Sequence, residues 1–174
     1  TCALPIYQNK DTRDYLPTTL RREVGYVFQK TYLFGNTVMD NLIYPYHLLQ
    51  QQPDFQEIAD YLKQVNLPES IITKKINEIS GGEQQRIALI RSLLVKPKIL
   101  LLDEITASLD EENTIIIENL IQNQNQNRNV TVLFISHNMG QAKRLAKNIL
   151  YLKNGKVSYH GSKDEYFAQK ELQQ

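Results

Sequence analysis

Three short stretches of the chain carry side chains whose types and spacing could do chemistry. The first is Ser80-Gly81-Gly82-Glu83-Gln84, which opens a periodic apolar run. Ser-x-x-Glu at such a place is a capping box, in which hydroxyl and carboxylate satisfy backbone N–H groups at a helix start. A cap alone leaves the paired glycines unexplained, because each costs about 1 kcal/mol against alanine in a helical turn. Bare backbone at a helix start lets an anion approach unpaired N–H groups and the positive end of the dipole, so a phosphate-binding terminus accounts for both features. The second stretch is Asp103-Glu104, which closes the apolar run 99–102. The carboxyl ends of strands are where open α/β sheets bind ligands, although adjacent acids there also serve as a plain polar boundary. The third is "VLFISH", which ends in His137. An imidazole at that place can donate to a phosphate and sense its loss, or it is a satisfied structural histidine. His47 and His160 lack such placement and read as surface residues. Ala107-Ser108-Leu109-Asp110 reads as a helix cap built on Asp110 or as part of the same site, and Gln29, at the end of "VGYVFQ", as a solvated strand end or a site donor.

The elements that must position these residues follow from periodicity. "VGYVFQ" (24–29) is a short β-rich run expected to be a buried strand. From Thr37 to about Leu94 the pattern is helical, punctuated by Pro45, Pro53 and Pro68 into several short helices. Strict alternation follows: "KILLLDE" as strand, "EENTIIIENLIQNQ" as helix, "VTVLFISH" as a second buried strand, "GQAKRLAK" as helix. Such an order predicts parallel strands with helical crossovers. Asn154-Gly155 predicts a tight hairpin that adds an antiparallel element to the sheet. Ser162, with Glu165 three residues on, caps a closing helix, and "QNQNQNRN" (122–129) reads as a helix end and a solvated loop. No repeat of solenoid length is visible.

Composition narrows the classes. Lys and Arg number 20 against 19 Asp and Glu, so nothing in the charge balance argues for nucleic acid or an anionic bilayer. Aliphatic runs are far shorter than the roughly 18 residues a membrane helix needs. A single cysteine, Cys2, excludes an intrachain disulfide and a cysteine metal cluster, in keeping with a reducing cytosol. "TCALPI" (1–6) lacks a starting methionine and matches a translated sequencing-adapter end, so residues 1–6 are expected to be a non-native scar with native sequence from near Tyr7. The alternative is an ordinary disordered terminus.

Taken in order, Gln29, Ser-Gly-Gly-Glu-Gln, a hydrophobic strand with Asp-Glu, Ser-Leu-Asp and a strand-ending His resemble the ATP-binding subunit of ABC transporters, from about Tyr7 to the end of the chain. Within that resemblance Gln29 is similar to the Q-loop glutamine, which senses the γ-phosphate and reaches the metal. Ser80, Gly81, Gly82, Glu83 and Gln84 match the signature, Ser108 to Asp110 the D-loop, and His137 the switch histidine. Asp103 and Glu104 resemble a Walker B pair, the first holding Mg²⁺, usually through water, and the second polarising the attacking water. Mg²⁺ prefers a few carboxylates completed by phosphates and waters, a role open to Asp103. Glu83-Gln84 departs from the commonest signature, which has glutamine directly after the glycines. "YLFGNTVMDNLIYP", "ITKKINEISGGEQQRIALIRSL" and "LLLDEITASLD", with Ile105 where most of the superfamily has proline, are similar to the bacterial iron-export (FetA-type) subfamily.

The resemblance implies a P-loop NTPase-like α/β domain with a mostly parallel sheet and a helical subdomain over about 37–94. It also implies ATP and Mg²⁺ as cofactors, an integral-membrane permease subunit and a second ATPase subunit as partners, and a peripheral place at the cytoplasmic face of a bacterial membrane. Residues 32–34 lie where family members receive a cytoplasmic helix of the permease, or are plain helical-domain core. None of the seven glycines belongs to Gly-x-x-x-x-Gly-Lys-Ser/Thr, the phosphate loop of Walker A. Residues 7–174 are therefore expected to be the C-terminal two thirds or more of one such domain, lacking the N-terminal strands and the Walker A helix, and inactive by themselves. Rival readings are a non-enzymatic partner whose signature completes another ATPase and a soluble ABC ATPase of DNA repair or ribosome work.

Overall fold

The computed structural model describes residues 5–107 and 109–171, which form two compact units, Thr1–Ile135 and Ser136–Gln174. Of the expected scar at 1–6, residues 1–4 lie outside the described residues, and Pro5 and Ile6 are within them. The first unit opens with β1 (Ile6–Tyr7) and β2 (Lys10–Asp11), an antiparallel pair, followed by α1 (Pro17–Glu23), whose proline stands at its start where a missing N–H costs nothing. Three strands then form a parallel sheet: β3 (Val24–Val27), β4 (Ile99–Asp103) and β5 (Thr131–Ile135), with β4 in the middle. Between β3 and β4 run α2 (Val38–Leu49), α3 (Phe55–Gln64) and α4 (Gly81–Leu94), and α5 (Glu111–Arg128) crosses over from β4 to β5.

Register divides the sheet into two faces. Val27, Leu102 and Phe134 stand opposite one another, as do Gly25, Leu100 and Val132, and this face carries Leu100 and Leu102 into the core with Ile87, Ile90, Leu94 and Ile117. Tyr26, Leu101 and Leu133 share the other face, where Tyr26, Leu133 and Ile135 are exposed. The expectation that β3 and β5 are buried strands therefore holds for one face only.

Three local expectations are also corrected. Pro45 does not end a helix: α2 runs through it, with Asn41 and Pro45 buried, because packing of Leu42 and Tyr46 outweighs the lost backbone bond. Most of "QNQNQNRN" is helix rather than loop. Gln124 is buried, its carbonyl accepts the Val130 N–H (3.1 Å), Asn125 Nδ2 donates to the Val130 carbonyl (2.9 Å), and the turn comes at Asn129 in a left-handed cap. The hairpin forms at Asn154-Gly155, both with positive φ (52° and 71°), but its strands pair as a two-stranded sheet of their own.

That hairpin belongs to the second unit, which consists of α6 (Met139–Leu145), β6 (Asn148–Lys153), β7 (Lys156–Ser162) and α7 (Lys163–Glu171). Ser162 Oγ accepts the Glu165 N–H (3.3 Å), the expected cap of α7. Tyr166 is buried between the Tyr151 and Tyr159 rings and is the core of this unit.

Candidate functional site

The two acids sit where β4 gives out. Asp103 is its last residue, opposite Ile135 of β5, and the chain turns out of the sheet at Glu104, whose φ is +47° and whose N–H donates to the Ile135 carbonyl (3.1 Å). A non-glycine residue in the left-handed region costs about 1 kcal/mol, and such outliers cluster where function over-determines the backbone. Both carboxylates are met from β3 and its tail. Tyr26 Oη donates to Asp103 Oδ2 (3.1 Å), and Gln29 Nε2 donates to Glu104 Oε2 (2.8 Å). Burial, then the hydrogen bond to Asp103, pushes the Tyr26 hydroxyl above its ordinary pKa. Sequence reasoning missed Tyr26, although parallel pairing of "VGYVFQ" with "ILLLD" would have put it on the same face as Asp103. Gln29 reaches the site from beyond β3, which ends at Val27.

Among the described residues no three His, Cys, Asp or Glu side chains gather as a metal cage. The Asp103 carboxylate and the Gln29 amide oxygen are hard donors of the kind that Mg²⁺ takes in small number, its shell being completed by phosphate oxygens and water.

The glycine pair begins α4. Ser80 Oγ accepts the Glu83 N–H (3.2 Å) while Glu83 Oε2 accepts the Ser80 N–H (2.7 Å), so the capping box is real. The Ser80 N–H, more than any other group, holds the Glu83 carboxyl below its ordinary value. Gln84 turns inward and donates to the Ile79 carbonyl (3.2 Å). Ser80 and Gly81 are exposed, and a Cβ on Gly81 would meet nothing within 4 Å; on Gly82 it would come within 3.1 Å of Leu109 Cδ2. One glycine keeps the helix start open, and the other lets Leu109 approach it.

Asp110 caps α5, its Oδ1 accepting the Asn113 N–H (2.8 Å), and this backbone donor first, then the Asn113 side-chain amide, holds its carboxyl below the ordinary range. Asn113 Oδ1 in turn accepts Arg86 Nη1 of α4, tying the two helix starts together. Arg86 is buried, and its Nε has no hydrogen-bond partner among the described residues. Ser108 lies outside the described residues. His137 is exposed and belongs to the second unit, two residues along the chain from Ile135; Gln29, Asp103 and Glu104 belong to the first. His47 and His160 are exposed, as read from sequence.

The segment after Gln29 is fixed by buried polar groups. Asn41 is fully buried, donates to the Phe34 carbonyl (2.8 Å) and accepts the Phe34 N–H (3.1 Å) and Arg91 Nη1 (2.7 Å). Arg91 Nη2 donates to the Tyr32 carbonyl (2.9 Å), and its guanidinium lies over the Phe34 ring. Leu33 joins the core, whereas Tyr32 is 79% exposed, so both readings of residues 32–34 find a residue that suits them.

Residues 6–107 match the model of the family described as "ABC transporter". The chain is 42% identical over 144 residues to "Probable iron export ATP-binding protein FetA" of Escherichia coli K12, an alignment covering 83% of this chain and 64% of that protein. It is 39% identical over 150 residues to the tungstate uptake system ATP-binding protein TupC of Peptoclostridium acidaminophilum, covering 85% and 68%. Among solved structures, an ATP-binding cassette in a dimeric post-hydrolysis state bound to ADP and Pi is similar with a TM-score of 0.77 and 29% identity, over 90% of this chain and 71% of that one. The chain thus spans a little under two thirds of the FetA relative, 64%. On the family match over residues 6–107 and the identity to these relatives, the chain belongs to the ABC transporter family, with the P-loop ABC ATPase fold.

Proposed function

We propose that residues 7–174 are part of an ABC ATPase domain, with its helical subdomain at about 37–94, that hydrolyses ATP to drive a membrane transporter. The observation that carries this reading is the Gln29 amide on the Glu104 carboxylate at 2.8 Å, beside Asp103 at the end of β4. In this account Glu104 orients the attacking water and takes its proton, and Gln29 holds that carboxylate and senses the γ-phosphate; a phosphate-donor role for His137 rests on the sequence resemblance alone. Asp103 and Gln29 would hold Mg²⁺, which when bound neutralises charge on the phosphate oxygens. The open start of α4, from Ser80 to Gln84, with Ser108 and Asp110, serves the nucleotide of a second subunit in an ATP-bound dimer.

No helix among the described residues is long and apolar enough to cross a membrane. In this reading the crossing belongs to a separate permease, seated near the exposed Tyr32 and Tyr44, with this subunit peripheral at the cytoplasmic face of the bacterial membrane. Of the two relatives named, one is named for iron export and the other for tungstate uptake. Ile105 and the identity to FetA favour iron export for this chain.

The test is MgATP turnover by a chimera in which the Gly-x-x-x-x-Gly-Lys-Ser/Thr segment of a relative is joined ahead of Tyr7. Turnover should appear, and Glu104→Gln should lower it about 10²- to 10⁴-fold and trap an ATP-bound dimer in sedimentation. Equal turnover by Glu104→Gln would remove Glu104 from its role. The exposed start of α4 would also suit a second reading, a signature donor to another ATPase, and activity that appears only on mixing the unmodified chain with such a subunit would support it.

A further inference from the structure

Gln29 sits on backbone that has left β3 at Val27 and enters no helix until Val38, yet its amide meets Glu104 at 2.8 Å. Something must hold that segment: Asn41 of α2 fixes it at Phe34, and the contacts nearest Gln29 come from one other helix. Gln85, 5% exposed, donates from Nε2 to the Phe28 carbonyl (3.3 Å), and Arg91 donates from Nη2 to the Tyr32 carbonyl (2.9 Å). These two carbonyls flank Gln29 on either side. The helix that supplies both donors is α4, whose first residues are the glycine pair and whose Ile87, Ile90 and Leu94 are fully buried. A helix seated on such side chains shifts as a body.

We propose that α4 sets the position of Gln29, and through it of Glu104, with Gln85 and Arg91 as positioning residues that hold the backbone before and after it. The inference rests on the proposed function and deepens it. A displacement of the Ser80–Gly82 end of α4, where a partner's nucleotide would press, is carried by Gln85 to the Phe28 carbonyl and by Gln29 to the carboxylate of the same chain. One subunit's service to its partner's nucleotide then adjusts its own water-orienting group. A buried amide that has lost its acceptor costs free energy, so the Gln85 contact favours one placement of the Phe28–Gln29 peptide over its alternatives.

The measurement is the ¹⁵N–¹H resonance pair of the Gln29 side-chain amide in the 174-residue chain, assigned by its loss in Gln29→Ala. Gln85→Met keeps the length of the side chain without the donor, and Gln85→Asn keeps the amide on a stem one methylene shorter. Both should move the Gln29 pair toward the positions it takes in Glu104→Gln. Ser92→Ala, which removes a hydroxyl from α4 that donates to the Ala88 carbonyl, is the control and should leave the pair where it is. If Gln85→Met does not fold, Gln85→Asn decides. A Gln29 pair unmoved in the Gln85 variants, or moved equally by Ser92→Ala, overturns the proposal. Failure of the chimera to hydrolyse ATP would sink the proposed function and leave this result standing, so the two failures are distinct.

Discussion

Two helices of the first unit begin with the same capping device and use it differently. Thr37 and Asp40 box the start of α2 as Ser80 and Glu83 box the start of α4, each hydroxyl accepting the N–H three residues on and each carboxylate returning to the cap N–H. Around α2 the surroundings are closed. Val38 is fully buried, Thr37 bridges to Lys75, and Gly35, at φ +75°, is so near Asp40 that a Cβ would fall 2.7 Å from Oδ2. Around α4 they are open, with Ser80 and Gly81 exposed and nothing within 4 Å of a Cβ on Gly81. The glycine before α2 is demanded by the fold. The first glycine of α4 answers no steric demand within the chain, so the difference separates a helix start that is only capped from one that is capped and left accessible.

Substitutions can break or sharpen that contrast. Gly35→Ala should have the largest effect, a loss of about 2 kcal/mol or more in urea unfolding, because alanine must adopt a left-handed φ and overlap Asp40. A loss below about 0.5 kcal/mol would mean that the α2 start is as permissive as that of α4. Thr37→Ala and Ser80→Ala should each cost about 1 kcal/mol as lost caps. The two should differ in the chimera, where only Ser80→Ala also lowers ATP turnover; equal turnover by both would reduce the α4 start to a cap.

The smallest effect is in acid. Backbone N–H donors hold both carboxyls down, those of Asn36 and Thr37 for Asp40 and that of Ser80 for Glu83. A depressed folded pKa contributes stability that is present above the unfolded value, near 3.8 for Asp and 4.5 for Glu, and is lost as pH falls through the folded value. The unfolding midpoints of Asp40→Asn and Glu83→Gln should therefore lie below wild type at neutral pH, and the gap should narrow as pH falls below those unfolded values. A gap that did not narrow at all on acidification would show that charge is not what the boxes use.

Much of this was legible in the sequence. The Ser-x-x-Glu box, the strand ending in Asp103, the Asn154-Gly155 turn and the Ser162 cap are local signals, each fixed by a few neighbouring residues. What was not legible depends on partners far along the chain. Pro45 is tolerated because tertiary packing surrounds it, and the polar run 122–128 stays helical because Gln124 is buried and Asn125 reaches the Val130 carbonyl. Tyr26 meets Asp103 across 77 positions and Gln85 meets Phe28 across 57, and no period or spacing announces such pairs. Strand ends were read two residues long at Gln29 and His137, because side-chain type says where polarity begins and not where the ladder stops.

The most direct test of the account is the substitution Gly81→Asp in the chimera, read as thermal midpoint and MgATP turnover on the same preparation. An acid in the first turn suits the helix dipole, and a side chain there meets nothing, so the midpoint should hold or rise. A negative charge at an anion-binding helix start should repel phosphate, and turnover should fall about 10²-fold or more, the scale of losing one preorganised donor. Turnover equal to that of the unsubstituted chimera, with the midpoint unchanged, would contradict the account, because the open start of α4 would then bind no phosphate.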